Sequence, residues 1–250
     1  MRFHTLLTLA LLSSAAFAAQ LPEIPKESIA KKGELLFSDD FNGTTHDAKW
    51  HRVVDTFTFE NGVLKGTQTR DQDVPAQDGK PAVTKHAAVY GLELPTKDSV
   101  VEVKIRFEGN TLMDVEFDDR KFTGSHYGHL CRAQVLLDQV KILDERDGTQ
   151  SNQLIELRKD PVKNKEEIGK LLSTHTISFP LAHKLEQGKW YTLVVETVGE
   201  QMRVTIDGTP VAYFKSPGIG HETKSKIELG VSGKSGLFDD IKVWNASPAK

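Results

Sequence analysis

Apolar and polar residues alternate with period two in several segments, the signature of a half-buried strand. Val101, Val103, Ile105 and Phe107 alternate with Glu102, Lys104, Arg106 and Glu108. Leu193, Val195 and Thr197 alternate with Thr192, Val194 and Glu196, a more apolar run that suits a central strand. Met202, Val204 and Ile206 form a third row, Ile227, Leu229 and Val231 a fourth, and Ile241 and Val243 a fifth. Asn61-Gly62 separates the strand-like residues 57–60 and 63–65, and Asp207-Gly208 separates 204–206 and 211–214. Both dipeptides supply the positive φ angles of tight hairpins. About ten strand candidates joined by antiparallel turns predict an all-β sandwich or jelly roll.

One segment departs from that period. Asp160 suits a helix cap and Pro161 a first helical position, where a missing N–H costs nothing. Ile168, Leu171 and Leu172 then share one face, which predicts a helix over 161–173. A lone helix inserted between strands excludes a βαβ design. Residues 70–85, rich in Asp, Pro and Gly, read as a long polar surface loop. Trp50, Trp190 and Trp244 each sit inside a strand motif and are assigned to the core.

The chain start changes the compartment. Residues 5–16 are almost wholly apolar, and Ala16-Phe17-Ala18 places small residues where a signal peptidase reads. The run is shorter than the ~20 residues of a bilayer span, so a signal peptide over 1–18 is expected. An arm over 19–34, with Pro22 and Pro25, leads to one domain over 35–246. No later stretch is apolar enough to insert in a membrane. Cys131 is the only cysteine, so no intramolecular disulfide forms, which favours a periplasmic or secreted bacterial protein. With 32 basic and 35 acidic residues and a net charge of −3, no basic excess points to nucleic acid as a partner.

The richest chemistry lies in Leu112–Arg120. On a strand, Asp114, Glu116 and Asp118 share one face while Val115 and Phe117 point to the other. Same-face neighbours are ~6.6 Å apart along the backbone. Glycosidase carboxylates stand ~5–5.5 Å apart in retaining enzymes and ~6.5–9.5 Å in inverting ones. The same charges also suit a solvent-facing strand side. His129, beside this strand, is a candidate acid/base, while His126, Arg132, Asp144 and Arg146 are candidates for gripping substrate. Backbone-bonded histidines and surface ion pairs are the plainer alternatives. Cys131 reads as a small buried residue. Asp40 and Asp240, on the expected first and last strands, are candidate ligands for a structural Ca²⁺. No cofactor is required by this reading.

The motif order carries a resemblance. It runs Leu36-Phe37-Ser38-Asp39-Asp40-Phe41, Phe59-Glu60-Asn61-Gly62-Val63-Leu64 and Gln187-Gly188-Lys189-Trp190-Tyr191-Thr192. Val204-Thr205-Ile206-Asp207-Gly208 and Phe238-Asp239-Asp240-Ile241-Lys242-Val243-Trp244 complete it. Over roughly residues 35–245 this resembles the concanavalin-like lectin/glucanase superfamily, and within it the 3-keto-disaccharide hydrolase-like domains akin to family 16 glycoside hydrolases. The resemblance implies a concanavalin-like jelly-roll β-sandwich and a carbohydrate partner. Hydrolysis of 3-keto-glycosides, lectin-like binding and a passive exported domain without a ligand are the readings it leaves open, since the fold serves all three. The family 16 signature Glu-x-Asp-x-Glu is matched only in part. Asp114 and Glu116 fit its last two positions, but Leu112 stands at the nucleophilic Glu, which argues against the retaining glucanase mechanism.

Overall fold

The period-two rows close into two antiparallel layers. The computed structural model describes residues 21–43, 47–54, 56–77 and 79–249. Its strands, in chain order, begin with β1 (Ala30–Asp39), β2 (Trp50–Arg52), β3 (Phe57–Glu60), β4 (Val63–Thr67), β5 (Ala88–Thr96) and β6 (Ser99–Asp118). After β7 (His129–Leu136) and β8 (Gln139–Asp144) come the helices α1 (Asn152–Leu157) and α2 (Lys165–His175). The chain closes with β9 (Thr176–Pro180), β10 (Trp190–Val198), β11 (Gln201–Ile206), β12 (Thr209–Lys215) and β13 (Lys224–Pro248). The expected signal segment lies outside the described residues. No helix among them is long and apolar enough to cross a membrane.

β6 and β13 are long enough to serve both layers. Their outer halves build the back sheet, in the order β12-β11-β10-β6-β13-β4-β3, with β1 also on β13. Their other halves, Met113–Asp118 against Lys226–Val231, build the front sheet with β7, β8 and β9 on one side and β5 and β2 on the other. Register shifts at Ser232–Gly236 of β13, opposite Gly109 and Asn110 of β6, mark the bend between sheets. Gly233 has φ +102°, and a Cβ there would lie 2.9 Å from the Thr111 amide. The Asn110 side chain holds the bend: its Oδ1 accepts from Glu108 N and its Nδ2 donates to Leu112 O.

The apolar rows meet between the layers. Val101, Val103, Ile105 and Phe107 face Met113, Val115, Phe117, Ile227, Leu229 and Val231 in one continuous core. Each fully buried side chain of this kind is worth ~1.5–3 kcal/mol. Both predicted hairpins form, with φ of 53° and 75° at Asn61-Gly62 and 48° and 76° at Asp207-Gly208. Cys131 is buried and free. Residues 70–77 and 79–85 form the expected exposed excursion, stapled by isolated bridges Arg70–His86 and Val74–Val83.

Four expectations need correction. The strand region starts at Ala30, inside the expected arm, because β1 runs on to pair with the chain end, Ala30 against Pro248. The helix starts at Lys165 rather than 161, because Asp160 Oδ1 accepts from Lys163 N and closes a turn first. The short helix α1, capped by Ser151 Oγ on Leu154 N, was not visible in a periodicity that needs longer windows. Trp50 is a core residue, but Trp190 and Trp244 are half-buried, because their strand positions face outward from the back sheet.

Candidate functional site

The front sheet turns a charged face away from the core. Since Val115 and Phe117 are buried inward, Asp114, Glu116 and Asp118 point the other way, as period two requires. Ladder pairing then sets their neighbours. Glu116 lies between Glu228 of β13 and Arg132 of β7, and Asp118 beside Lys226. One strand further out the partner of Glu228 is Gly91, with the His51 ring lying over it; a Cβ on Gly91 would stand 2.0 Å from that ring. Gly230 leaves the same kind of space for Asp114, whose Oδ1 would stand 2.0 Å from an added Cβ.

His129 and Arg132 are three residues apart, so an unbroken strand would put them on opposite faces. The register slips between the pairs Phe117–Cys131 and Asp118–His129, leaving Leu130 as an extra residue. That bulge brings both basic groups onto the acidic face. The strand also begins only at His129, since His126–Gly128 is a tight turn with Tyr127 at φ 48°. The His126 ring remains at the rim, 5.8 Å from the His129 ring, and Tyr127 beside it is 80% exposed.

The resulting network is dense. Arg132 donates from Nη2 to Glu116 Oε1 at 2.7 Å, with Nη1 3.4 Å from Asp114 Oδ2 and Nε 2.8 Å from Glu145 Oε2. His129 Nδ1 lies 2.5 Å from Glu116 Oε1 and 3.0 Å from Asp118 Oδ1. Lys226 Nζ reaches Asp118 Oδ2 at 2.9 Å and Glu228 Oε1 at 2.5 Å. Glu116 is 2% exposed, whereas the His129 and Arg132 side chains are each 15% exposed and form the accessible edge.

Burial and neighbours divide the proton affinities. Burial pushes Glu116 well above the usual carboxylate range, with Arg132 opposing and Glu145 adding to the rise. Asp114 and Glu228 are raised for the same first cause. Asp118 moves the other way: burial opposes its charge, but the His129 hydrogen bond and the His129 and Lys226 charges hold it low. Burial disfavours the His129 cation, yet its bonds to Asp118 and Glu116 push it up to about 11. His129 is therefore an imidazolium near neutral pH, a hydrogen-bond donor rather than a base.

The other sequence candidates separate from this cluster. Asp144 is fully buried in loop architecture, accepting from Ser216 Oγ, Gly218 N and Asp147 N. Arg146 is paired with Asp147. Their neighbour Glu145 joins the site instead, because the turn after β8 rotates the chain there. Asp40 and Asp240 line a shallow cavity of about 430 Å³. Asp240 is held by Lys104 at 2.5 Å, and Asp40 accepts from Asn42 N. The oxygens of adjacent Asp39 are taken by Phe41 N and Trp50 Nε1. These side chains fit poorly with the ~6–8 oxygen ligands that Ca²⁺ takes.

Sequence reasoning missed Lys226, Glu228 and Glu145. The signal for the first two was present: Ile227, Leu229 and Val231 face the core, so Lys226 and Glu228 must share the opposite face. That this face abuts Glu116 needed the strand pairing.

No protein-family model and no curated protein matches the sequence. Solved structures do match. The laminarinase catalytic domain from Thermotoga maritima MSB8 aligns with TM-score 0.57 at 11% identity, covering 86% of this chain and 99% of that one. The endo-β-1,3-glucanase from Pyrococcus furiosus gives 0.57 at 10%, over 89% and 100%. A non-specific endo-β-1,3(4)-glucanase from family GH16 gives 0.56 at 12%, over 90% and 94%. The chain thus shares the concanavalin-like jelly-roll fold of these solved glucanases.

Proposed function

We propose that the protein is an exported carbohydrate-processing hydrolase that cleaves glycosidic bonds at the front-sheet cluster. The observation that carries this reading is the split between two carboxylates two residues apart on β6. Glu116 is driven to hold its proton, and Asp118 is held ionised. Such a split assigns an acid and its charged partner. Glu116 donates its proton to the departing glycosidic oxygen as the C–O bond breaks, Asp118 stabilises the positive charge that develops on the sugar, and a water then bonds to that carbon and returns a proton to the Glu116 carboxylate. Their nearest oxygens lie within 4.8 Å of each other, nearer the ~5–5.5 Å of retaining pairs than the wider inverting spacing. Asp118 thereby takes a place that Leu112, at the signature position, does not fill.

The solved glucanases of like fold favour a glucan as substrate, and the sequence resemblance favours a 3-keto-disaccharide. Apolar residues 5–16 and the Ala16-Phe17-Ala18 site favour export. A lectin-like role is the second reading, favoured by the depth of the carboxylates beneath Arg132 and Lys226.

Release of reducing sugar from laminarin, lichenan and a 3-keto-disaccharide tests the proposal. Glu116→Gln should lower kcat by about 10²–10⁴-fold with KM little changed. Hydrolysis that survives this change places the chemistry elsewhere. Saturable binding of these sugars without cleavage leaves the lectin reading.

A further inference from the structure

One sizeable cavity lies away from the front-sheet cluster. It is a groove of about 740 Å³ on the outward face of the back sheet, within the ~300–1,000 Å³ of small-ligand sites. Register places one transverse row across its floor: Lys65 opposite Leu237, Leu237 opposite Arg106, and Arg106 opposite Trp190. Adjacent strands are ~4.8 Å apart, so this row of four spans ~14 Å.

The floor is flat and amphipathic. The Arg106 guanidinium lies 5.1 Å from the Trp190 ring centre and is pinned by Glu108 at 2.6 Å. Trp190 is only half-buried, and the same groove is lined by its surface. Arg106 covers one face of the indole, and the surface left exposed packs against the C–H face of a sugar, as apolar surface against apolar surface.

Charge decides the ligand class. The cations around the groove are already matched: Lys65 with Glu60, Arg106 with Glu108 and Lys104 with Asp240. An anionic ligand would find no spare cation. Asp239 is different. One of its oxygens accepts from Asp240 N, and among the described residues no cation forms a salt bridge with it, although the nearby Lys104 charge acts to lower its proton affinity. Burial raises its proton affinity. At the rim, the Asn42 carboxamide sits over the Asn61-Gly62 turn, where a Cβ on Gly62 would be 2.4 Å from Asn42 Oδ1. An aromatic plane flanked by a free carboxylate oxygen and amide groups matches a chain of neutral hydroxyl-bearing rings.

We infer that this back-sheet groove is a second saccharide site, taking a neutral oligosaccharide of a few residues with Trp190 as platform and Asp239 as hydroxyl acceptor. It takes the saccharide class from the proposed function but not the front-sheet chemistry. The groove would hold a glucan chain while another stretch is processed on the opposite face, or tether the protein to insoluble polymer.

The test is calorimetric titration with laminaritetraose and cellotetraose, on wild type and on Glu116→Gln, which prevents turnover. Saturable binding in both, weakened at least tenfold by Trp190→Ala and by Asp239→Ala, supports the site. Asp239→Ala keeps the test open if Trp190→Ala fails to fold. Hydrolysis of short soluble substrates should be unchanged in either groove variant. Absence of binding to both sugars overturns the inference, as does binding that ignores both groove variants. Loss of hydrolysis in Glu116→Gln with groove binding intact would separate the two sites; loss of both together would overturn the groove.

Discussion

Arg132 is the residue on which the front-sheet cluster depends. It neutralises parts of three buried carboxylates, Asp114, Glu116 and Glu145. Burial alone would disfavour its charge, yet these neighbours push its proton affinity well above the ordinary guanidinium range. A buried ion network is weak evidence of stability when whole, but removing one partner leaves uncompensated charge. Arg132→Met is therefore expected to destabilise the protein by about 3–5 kcal/mol at neutral pH, measured by urea unfolding. The loss should shrink on mild acidification, because Glu116 and Asp114 are already inclined to take up protons. A loss under ~0.5 kcal/mol, the scale of ordinary surface changes, would mean Arg132 is solvated rather than central.

At the scale of elements, the site exists because two strands are irregular. The extra residue Leu130 in β7 turns His129 toward the acidic face, and the Gly233 bend lets β13 pass from one sheet to the other. Gly230 supplies the remaining space. Gly230→Ala would drive a Cβ into Asp114 Oδ1, and a loss of ~1–3 kcal/mol is expected, together with loss of activity. Gly169 in α2 is the matched control. Nothing lies within 4 Å of a Cβ there, so Gly169→Ala should stabilise by ~0.5–1 kcal/mol through helix propensity. Equal effects at the two glycines would contradict the crowded geometry at Asp114.

For the whole molecule, the buried charges make stability depend on pH with a definite sign. His129 has a folded value of about 11 against an ordinary 6.5. Its contribution is full below 6.5 and is lost as pH rises through that window toward 11. Asp114, Glu116 and Glu228 are also raised, so their ionisation costs stability as pH rises above the ordinary carboxylate values. Asp118 is lowered, so its contribution is lost only on acidification below the usual Asp value of 3.8. Unfolding midpoints should fall from neutral pH toward alkaline pH, and His129→Asn should flatten that slope. By proton NMR, the His129 ring should not titrate between pH 6 and 9; a midpoint near 6.5 would refute the buried imidazolium.

Local physics wrote much of this protein into its chain. Period two placed Asp114, Glu116 and Asp118 on one face, and Asn61-Gly62 and Asp207-Gly208 marked their hairpins, because strand alternation and left-handed backbone depend only on neighbouring residues. The choice of an all-β sandwich or jelly roll followed from the same signals. Which strands lie side by side was not local. Lys226 and Glu228 reach the cluster from more than a hundred positions away, and only the ladder brings them to Asp118 and Glu116. The bulge at Leu130 likewise reverses a side chain that alternation would send elsewhere, so His129 and Arg132 became partners while Asp144 and Arg146 did not. Trp190 takes the outward face by alternation along its strand, opposite buried Tyr191 and Leu193, but that this face is left partly uncovered was decided by its neighbours across the sheet. A chain states which face a side chain takes; the fold alone states what that face meets, because the meeting is fixed by contacts between distant segments.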